Sequence, residues 1–251
     1  MSQSRRRLCL AILFCLLPGA ALAADRAPPC VEMSFESERY TACTYESAHD
    51  ELRLADRAGR RYLRSFENLS RSLGHDQARV RFAMNAGMFN QRGAPIGLYV
   101  ENAVRGHRIS LRRGPGNFHL LPNGVFWKDA AGDVHVTESR AYAAEPRAPR
   151  LATQSGPMLV IDGEVHPSFS ADGDSRLIRN GVGVTDTHTA FFVISETDVS
   201  FGKFARFFRN RLHCGNALFL DGNVSSLWAP SLRRRDDARL LGPMVVVLSR
   251  E

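Results

Sequence analysis

Lysine is nearly missing from this chain of 251 residues: Lys128 and Lys203 are the only two among its 33 basic side chains. The formal net charge of +7 is therefore a guanidinium charge. It does not take the pattern that nucleic acid requires. The densest run, Arg233-Arg234-Arg235, is met at once by Asp236-Asp237 and reads as a solvated face. No stripe interleaves basic with aromatic residues, so a nucleic-acid partner is set aside. The eight histidines show no His-Glu-x-x-His or His/Cys ligand spacing, which leaves zinc without support. Gly-x-Ser-x-Gly is absent, and with it the nucleophile elbow. Asp172-Gly173-Asp174-Ser175 is too short for a calcium loop. His213-Cys214 is a poor thiol nucleophile, because neighbours along a chain rarely face each other. Neither a metal nor a cofactor is expected.

Long apolar runs are also missing, with one short exception at the start. Arg5, Arg6 and Arg7 precede an apolar run from Leu8 to Leu17, then Pro18-Gly19 and Ala20-Ala21-Leu22-Ala23. That order is a secretory signal peptide over residues 1–23, with Ala21-Leu22-Ala23 as the cleavage signal. The run is too short for a retained helix, which needs ~20 residues. The expectation is a mature protein without a membrane span, in the periplasm or outside the cell. Cleavage removes three arginines and two of the five cysteines, Cys9 and Cys15. In an oxidising compartment two of the remaining three should pair. Cys30 and Cys43 flank a strand-like segment whose hairpin would bring them together, leaving Cys214 as the odd thiol.

What the chain has in quantity is short strands punctuated by turns. Asp162-Gly163 inside "GPMLVIDGEVH" is the strongest hairpin signal. "GLYVENAVRGHRISL" and "NGVFWKDAAGDVHV" predict two more strand pairs, around Glu101 to Gly106 and Ala130 to Asp133. "THTAFFVISE" and "GPMVVVL" read as strands buried on both faces. One helix is predicted after Ser65 on Phe66, Leu69 and Leu73, capped by Gly74. A second is predicted from about Ser200 to Leu212. There Phe201, Phe204, Phe208 and Leu212 form a stripe that reads as core packing, and Gly215 stops the helix. The fold class is α+β, a single domain with a mixed or mostly antiparallel sheet core flanked by helices. Ala144 to Pro149 reads as a surface loop rather than a domain seam.

Four clusters combine small residues with groups able to do chemistry. In "ALFLDGNVSS" a buried strand ends abruptly in Asp221-Gly222, where a carboxylate can face a cleft or merely cap its own turn. In "MNAGMFNQRGAPIGLYV", Asn85 is surrounded by small residues that let another chain or a ligand come close. "QSGPMLVIDG" opens a strand with Ser155-Gly156-Pro157, and "RNGVG" sets Arg179 beside two glycines. These blocks, with "NGVF" at Asn123 to Phe126 and the later "LGPMVVV", resemble the phosphodiester glycosidase family from about Arg79 to Leu248. The resemblance is nearest to a bacterial branch of uncertain function.

The resemblance implies a division into the leader, residues 24–78 as strands and a helix packed on the core, and residues 79–251 as the core. It also implies a site. Asn85, Ser155, Gly156, Gly222 and Ser225 match positions that would bind substrate, and Arg179 and Asp221 match positions that would act on it. The implied activity is hydrolysis of a sugar's anomeric bond to phosphate, on a small or polymeric glycan of envelope or capsule. Arg179 would hold the phosphoryl oxygens with its planar fork. Asp221 would be base, nucleophile or stabiliser of the oxocarbenium-like state. Asn223-Val224 stands where the family signature has two glycines. That departure keeps a rival open, a non-catalytic envelope module binding glycan or anionic polymer in the same cleft. The sequence carries no signal for oligomeric state.

Overall fold

The computed structural model describes residues 26–145 and 147–250; the expected leader lies outside them. Three antiparallel sheets enclose one core. The large sheet has seven strands in the order Cys30–Phe35, Glu38–Glu46, Thr189–Ser195, Asn180–Val184, Asn216–Phe219, Met158–Ile161 and Glu164–Val165. The hairpin sheet runs Val134–Glu138, Gly124–Lys128, Leu151–Ser155, Tyr99–Glu101 and Val104–His107. The terminal sheet runs Arg234–Arg235, Leu227–Ala229, Val80–Asn85, Met244–Ser249 and Asp50–Ala55. The segment before residue 79 is thus built in: Glu38–Glu46 pairs with Thr189–Ser195, and Asp50–Ala55 pairs with Met244–Ser249.

Alternation along each strand explains why the core is shared. Phe82 and Met84 of the terminal sheet, Phe126 and Val136 of the hairpin sheet, and Phe192 and Leu218 of the large sheet point into one cluster. Phe192 sits between Phe82 and Phe126, with ring centroids at 5.6 and 5.4 Å. The opposite face of each sheet carries its own helix. Helix α1 (Phe66–Leu73) lays Phe66 and Leu69 against Trp228, Met244 and Val246. Helix α2 (Ser139–Ala144) sets Tyr142 on Val125 and Trp127. Helix α3 (Phe201–Arg206) packs Phe204 on Tyr40 and Val193. Met244 to Leu248 is buried on both faces because Val245 and Val247 meet the common core while Met244, Val246 and Leu248 meet α1.

Local signals behave as their chemistry dictates. The Ser65 hydroxyl accepts the Asn68 N–H at 3.2 Å, and Gly74 ends α1 at φ 56°. Asp162 and Gly163 turn at φ 49° and 84°, the twist a two-residue hairpin needs. The turn after Glu101 is tighter than the sequence indicates, with Asn102 and Ala103 both left-handed. The arginine run was expected as a solvated face; Arg233 and Arg235 are exposed, but Arg234 is half-buried and meets Asp236 and Glu196, while Arg235 meets Asp237.

The second helix departs from its prediction. After Arg206 the chain widens into a π-helical turn over Phe207–Arg211, closed by the Leu212 N–H on the Phe207 carbonyl at 3.1 Å. The wider turn narrows the angle between the neighbours Phe207 and Phe208, and both are buried. His213, left-handed at φ 57°, ends the element before Gly215. Among the described residues no helix is long and apolar enough to cross a membrane.

Cys30 and Cys43 face each other across the first hairpin and form a disulfide, while Cys214 is buried and free. Burial pushes the Cys214 thiol up to about 12, so it is inert as a nucleophile. Protein lacking residues 1–23, denatured without reductant, should therefore release one thiol per chain to a thiol reagent. Three before reduction would contradict the pairing. Reduction should cost ~3 kcal/mol of stability for a loop of this size.

Candidate active site

Three strand ends, one from each sheet, meet beneath residue 221. Asn85 closes Val80–Asn85, Ser155 closes Leu151–Ser155, and Asn180 opens Asn180–Val184. The Asn85 Nδ2 donates to the Asp221 carbonyl at 2.9 Å. Its Oδ1 accepts from Asn180 Nδ2 at 3.0 Å and from the Ser226 N–H at 2.9 Å. Ser155 Oγ donates to the Leu220 carbonyl at 3.1 Å, and the Leu220 N–H donates to the Asn180 carbonyl at 3.0 Å. Asn85 is 1% exposed and Ser155 0%, so these side chains hold the backbone of the site rather than its surface. Deleting one would strand its buried partners, at about 1–3 kcal/mol for each orphaned group.

Asp221 thereby sits at a fixed point on the wall of a 250 Å³ cleft. Met88, Ile96, Asn117, His119, Phe219 and Asn223 surround it. The carboxylate is 8% exposed, and its Oδ1 accepts the Asn223 N–H at 3.3 Å. Burial pushes its pKa up to about 6, with that single N–H pulling the other way. Among the described residues it is the only carboxylate on the cleft wall. His119 is the other titratable group there. Its Nδ1 lies 2.9 Å from the Arg112 carbonyl, which can only accept, so Nδ1 carries the proton and Nε2 is the basic nitrogen of the neutral ring.

Arg179 lies one residue before Asn180 but not on the cleft wall. It is 1% exposed, with its guanidinium 3.6 Å from the Phe201 ring centre and 5.5 Å from that of Phe219. Nε donates to the Val199 carbonyl at 2.9 Å and Nη2 to the Ser175 carbonyl at 2.8 Å. The bidentate grip on a phosphate that its fork implies is therefore already committed to backbone. The aromatic stripe of α3 does more than fill the core, since Phe201 forms one face of this cation's socket. Arg179 has no carboxylate partner among the described residues, and burial alone holds its pKa down, to about 10. It stays charged at neutral pH.

The remaining expected residues divide. Gly222 is on the cleft wall, and a Cβ there would fall 2.7 Å from the Phe219 ring. The Ser225 Oγ lies 3.3 Å from Asn180 Oδ1 and 3.2 Å from the Gly222 carbonyl, tying the turn to the strand ends. Gly156 is pressed against its own chain, where a Cβ would sit 2.5 Å from that of Asn123. The glycines after Arg179 likewise admit protein rather than ligand, Gly181 meeting Phe204 and Phe208. Of the two residues replacing signature glycines, Asn223 reaches the cleft while Val224 packs towards α1 and Trp228. Sequence reasoning missed Asn180, whose position beside Arg179 in "RNGVG" was the available signal. It also missed the Asn117–His119 wall, which lies in a loop without periodicity.

The chain matches the family model described as phosphodiester glycosidase over residues 78–248. The uncharacterized protein YigE of Escherichia coli (strain K12) is 36% identical over 155 residues, 61% of this chain and 60% of that protein. The catalytic domain of zebrafish N-acetylglucosamine-1-phosphodiester alpha-N-acetylglucosaminidase, auto-inhibited by its pro-peptide, superposes with a TM-score of 0.59 at 12% identity. That likeness covers 88% of this chain and 82% of the other. A hypothetical protein from Synechocystis gives 0.58 at 16% identity, covering 88% of this chain and 61% of its own. At these identities the two structures speak for the fold. The strands between Cys30 and Ala55 precede the matched segment yet complete two of its sheets.

The raised carboxyl has a stability signature. Asp221 titrates near 6 when folded against an ordinary 3.8, so the cost of charging it is absent at low pH and complete above about 6. Asp221→Asn keeps the acceptor for the Asn223 N–H and sheds that charge. It should be more stable than wild type at pH 7.5 by up to about 2–3 kcal/mol, with the gap closing towards pH 4. Denaturant melts at both ends of the range measure this. A variant no more stable at any pH would mean that Asp221 is an ordinary turn cap.

Proposed function

The chain belongs to the phosphodiester glycosidase family, and we propose that it is an exported hydrolase cleaving the anomeric bond of a sugar phosphodiester in envelope or capsule glycan. The observation that carries this is a buried guanidinium and a cleft carboxylate that do not neutralise each other. Arg179 contributes nothing to the shift of Asp221, and neither forms an ion pair among the described residues. Asp221 is left open to the electrophilic atom of a ligand in the cleft, and buried Arg179 can act on that ligand's anionic atom only through its field.

The chemistry follows from the bond being cut. A phosphate monoester leaves more readily than an alcohol, so one carboxylate suffices where ordinary glycosidases use two. Asp221, ionised above about 6 and more basic than a solvated aspartate, takes the proton from the attacking water at the anomeric carbon. Charge accumulating on the phosphoryl oxygens is met by the field of Arg179 from behind Phe219. Arg179 acts by charge here, because Nε and Nη2 are already spent on Val199 and Ser175. Asn85 and Ser155 act through the backbone they hold.

Asn223 on the cleft wall, where the family signature has glycine, favours a second possibility, a binding module without turnover. Release of reducing sugar from a panel of sugar-1-phosphate diesters separates the two. Wild type should turn over at least one, with kcat/KM rising as pH climbs through about 6. Asp221→Asn should lose about 10³-fold in kcat with KM nearly unchanged. Arg179→Lys, which keeps the charge, should retain more diester activity than Arg179→Met at equal folded fraction. Retained binding with no turnover across the panel would leave the module.

A further inference from the structure

A second feature adjoins the cleft. From Asn102 to Lys128 the chain contains no Asp or Glu, while Arg105, Arg108, Arg112 and Arg113 fall within it. The stretch begins at the Val104–His107 strand, which edges the hairpin sheet, and ends beyond the Asn117–His119 wall of the cleft. Two depressions of 790 Å³ each lie along it. The first, lined by His107, Arg108 and Arg112, shares Ile96 with the Asp221 cleft. The second, lined by Arg105, Arg147 and Tyr142, shares Arg108 and Ile109 with the first. The three hollows therefore abut in series.

Arg105, Arg108 and Arg112 are exposed, and none has an acidic partner among the described residues. The one acid on the trough, Glu145, is taken by Arg147 at 2.8 Å. The backbone beneath is fixed, so these cations are carried on a preformed edge. Buried Gln154 accepts the Ser110 N–H at 2.9 Å and donates to the Ser110 carbonyl at 2.7 Å. The His119 ring on the cleft wall is bonded to the Arg112 carbonyl at 2.9 Å, which ties the basic edge to the site. Between Arg105 and Arg112 the chain can span at most about 23–25 Å, an upper limit of a few sugar-phosphate units.

We propose that this trough binds a polyanionic glycan chain, so that the substrate is a phosphate-bearing polymer threaded from the Arg105 edge into the Asp221 cleft. A repeating anion matches a row of unpaired guanidinium groups, whereas a single small diester would use only the cleft. Nucleic acid fits less well because among the described residues the trough offers no open Phe, Tyr or Trp face for bases. Tyr142 is 7% exposed and lies under the Arg147 guanidinium, 5.5 Å away. The proposal rests on diester hydrolysis for what happens in the cleft, but polymer binding stands apart from turnover.

The test uses a fluorescein-labelled capsular polysaccharide whose repeats are joined by glycosyl-1-phosphate diesters. It is titrated against Asp221→Asn protein, which leaves the polymer uncut. Adding Arg105→Gln, Arg108→Gln and Arg112→Gln together should weaken binding at least about tenfold, and rising salt should weaken the parent's binding while sparing little for the variant to lose. Neutral dextran should not bind. With Asp221 restored, the triple variant should lose about tenfold in kcat/KM on the polymer and less than about twofold on a short sugar-1-phosphate diester. Polymer binding that ignores the arginines would overturn the trough. So would equal losses on both substrates, or equally tight arginine-dependent binding of single-stranded DNA or anionic vesicles. Arginine-dependent polymer binding with no turnover of any diester would support the trough and remove the hydrolysis.

Discussion

Asn85 presents one buried carboxamide to three strand ends. Its nitrogen holds the Asp221 carbonyl, and its oxygen collects the Asn180 amide and the Ser226 N–H. Because those partners tie the terminal sheet to the large one, and Ser155 adds the hairpin sheet through the Leu220 carbonyl, the closure of the core and the placement of the carboxylate are coupled. The sheets can enclose Phe82, Phe126 and Phe192 only if their ends meet, and where they meet is where Asp221 projects. A fully satisfied polar cluster of this kind fixes geometry more sharply than apolar packing does. It also explains why a residue 136 positions away along the chain belongs to the same site.

Around that node the molecule carries two charges that nothing in the fold neutralises. Ordinary design would pair Arg179 with an acid or replace both charged groups by apolar ones. Here the cation is supported by two backbone carbonyls and an aromatic face, enough to keep it buried and charged but not to cancel its field. Asp221 is held out of water with one N–H for company. Stability is given up at both positions, as is usual where a site must receive a ligand of complementary charge.

Much of the fold was legible because local chemistry and global packing agree. The capped helix at Ser65, the Asp162-Gly163 turn and the doubly buried Met244–Ser249 strand were all written in short-range pattern. The Cys30–Cys43 pairing followed from the expectation of export and from hairpin geometry. What was not legible needed three dimensions. Nothing in "MNAGMF" says that Asn85 turns its amide under the site, or that Gly87 makes room for Thr153 rather than for a ligand. The commitment of Arg179 to Val199 and Ser175 depends on a loop with no periodicity, and the π turn after α3 breaks the spacing on which helix reading relies. The cleft wall is likewise loop.

The central claim is that the strand-end node presents Asp221 to an anomeric carbon whose phosphate lies towards Arg179. A crystal structure of Asp221→Asn soaked with a non-hydrolysable sugar phosphonate tests it most directly. The account predicts the anomeric carbon over the residue-221 side chain, with the phosphonate on the side of Phe219 that backs onto Arg179. A phosphonate pointing away from that wall, or a sugar bound elsewhere with the cleft empty, would contradict it.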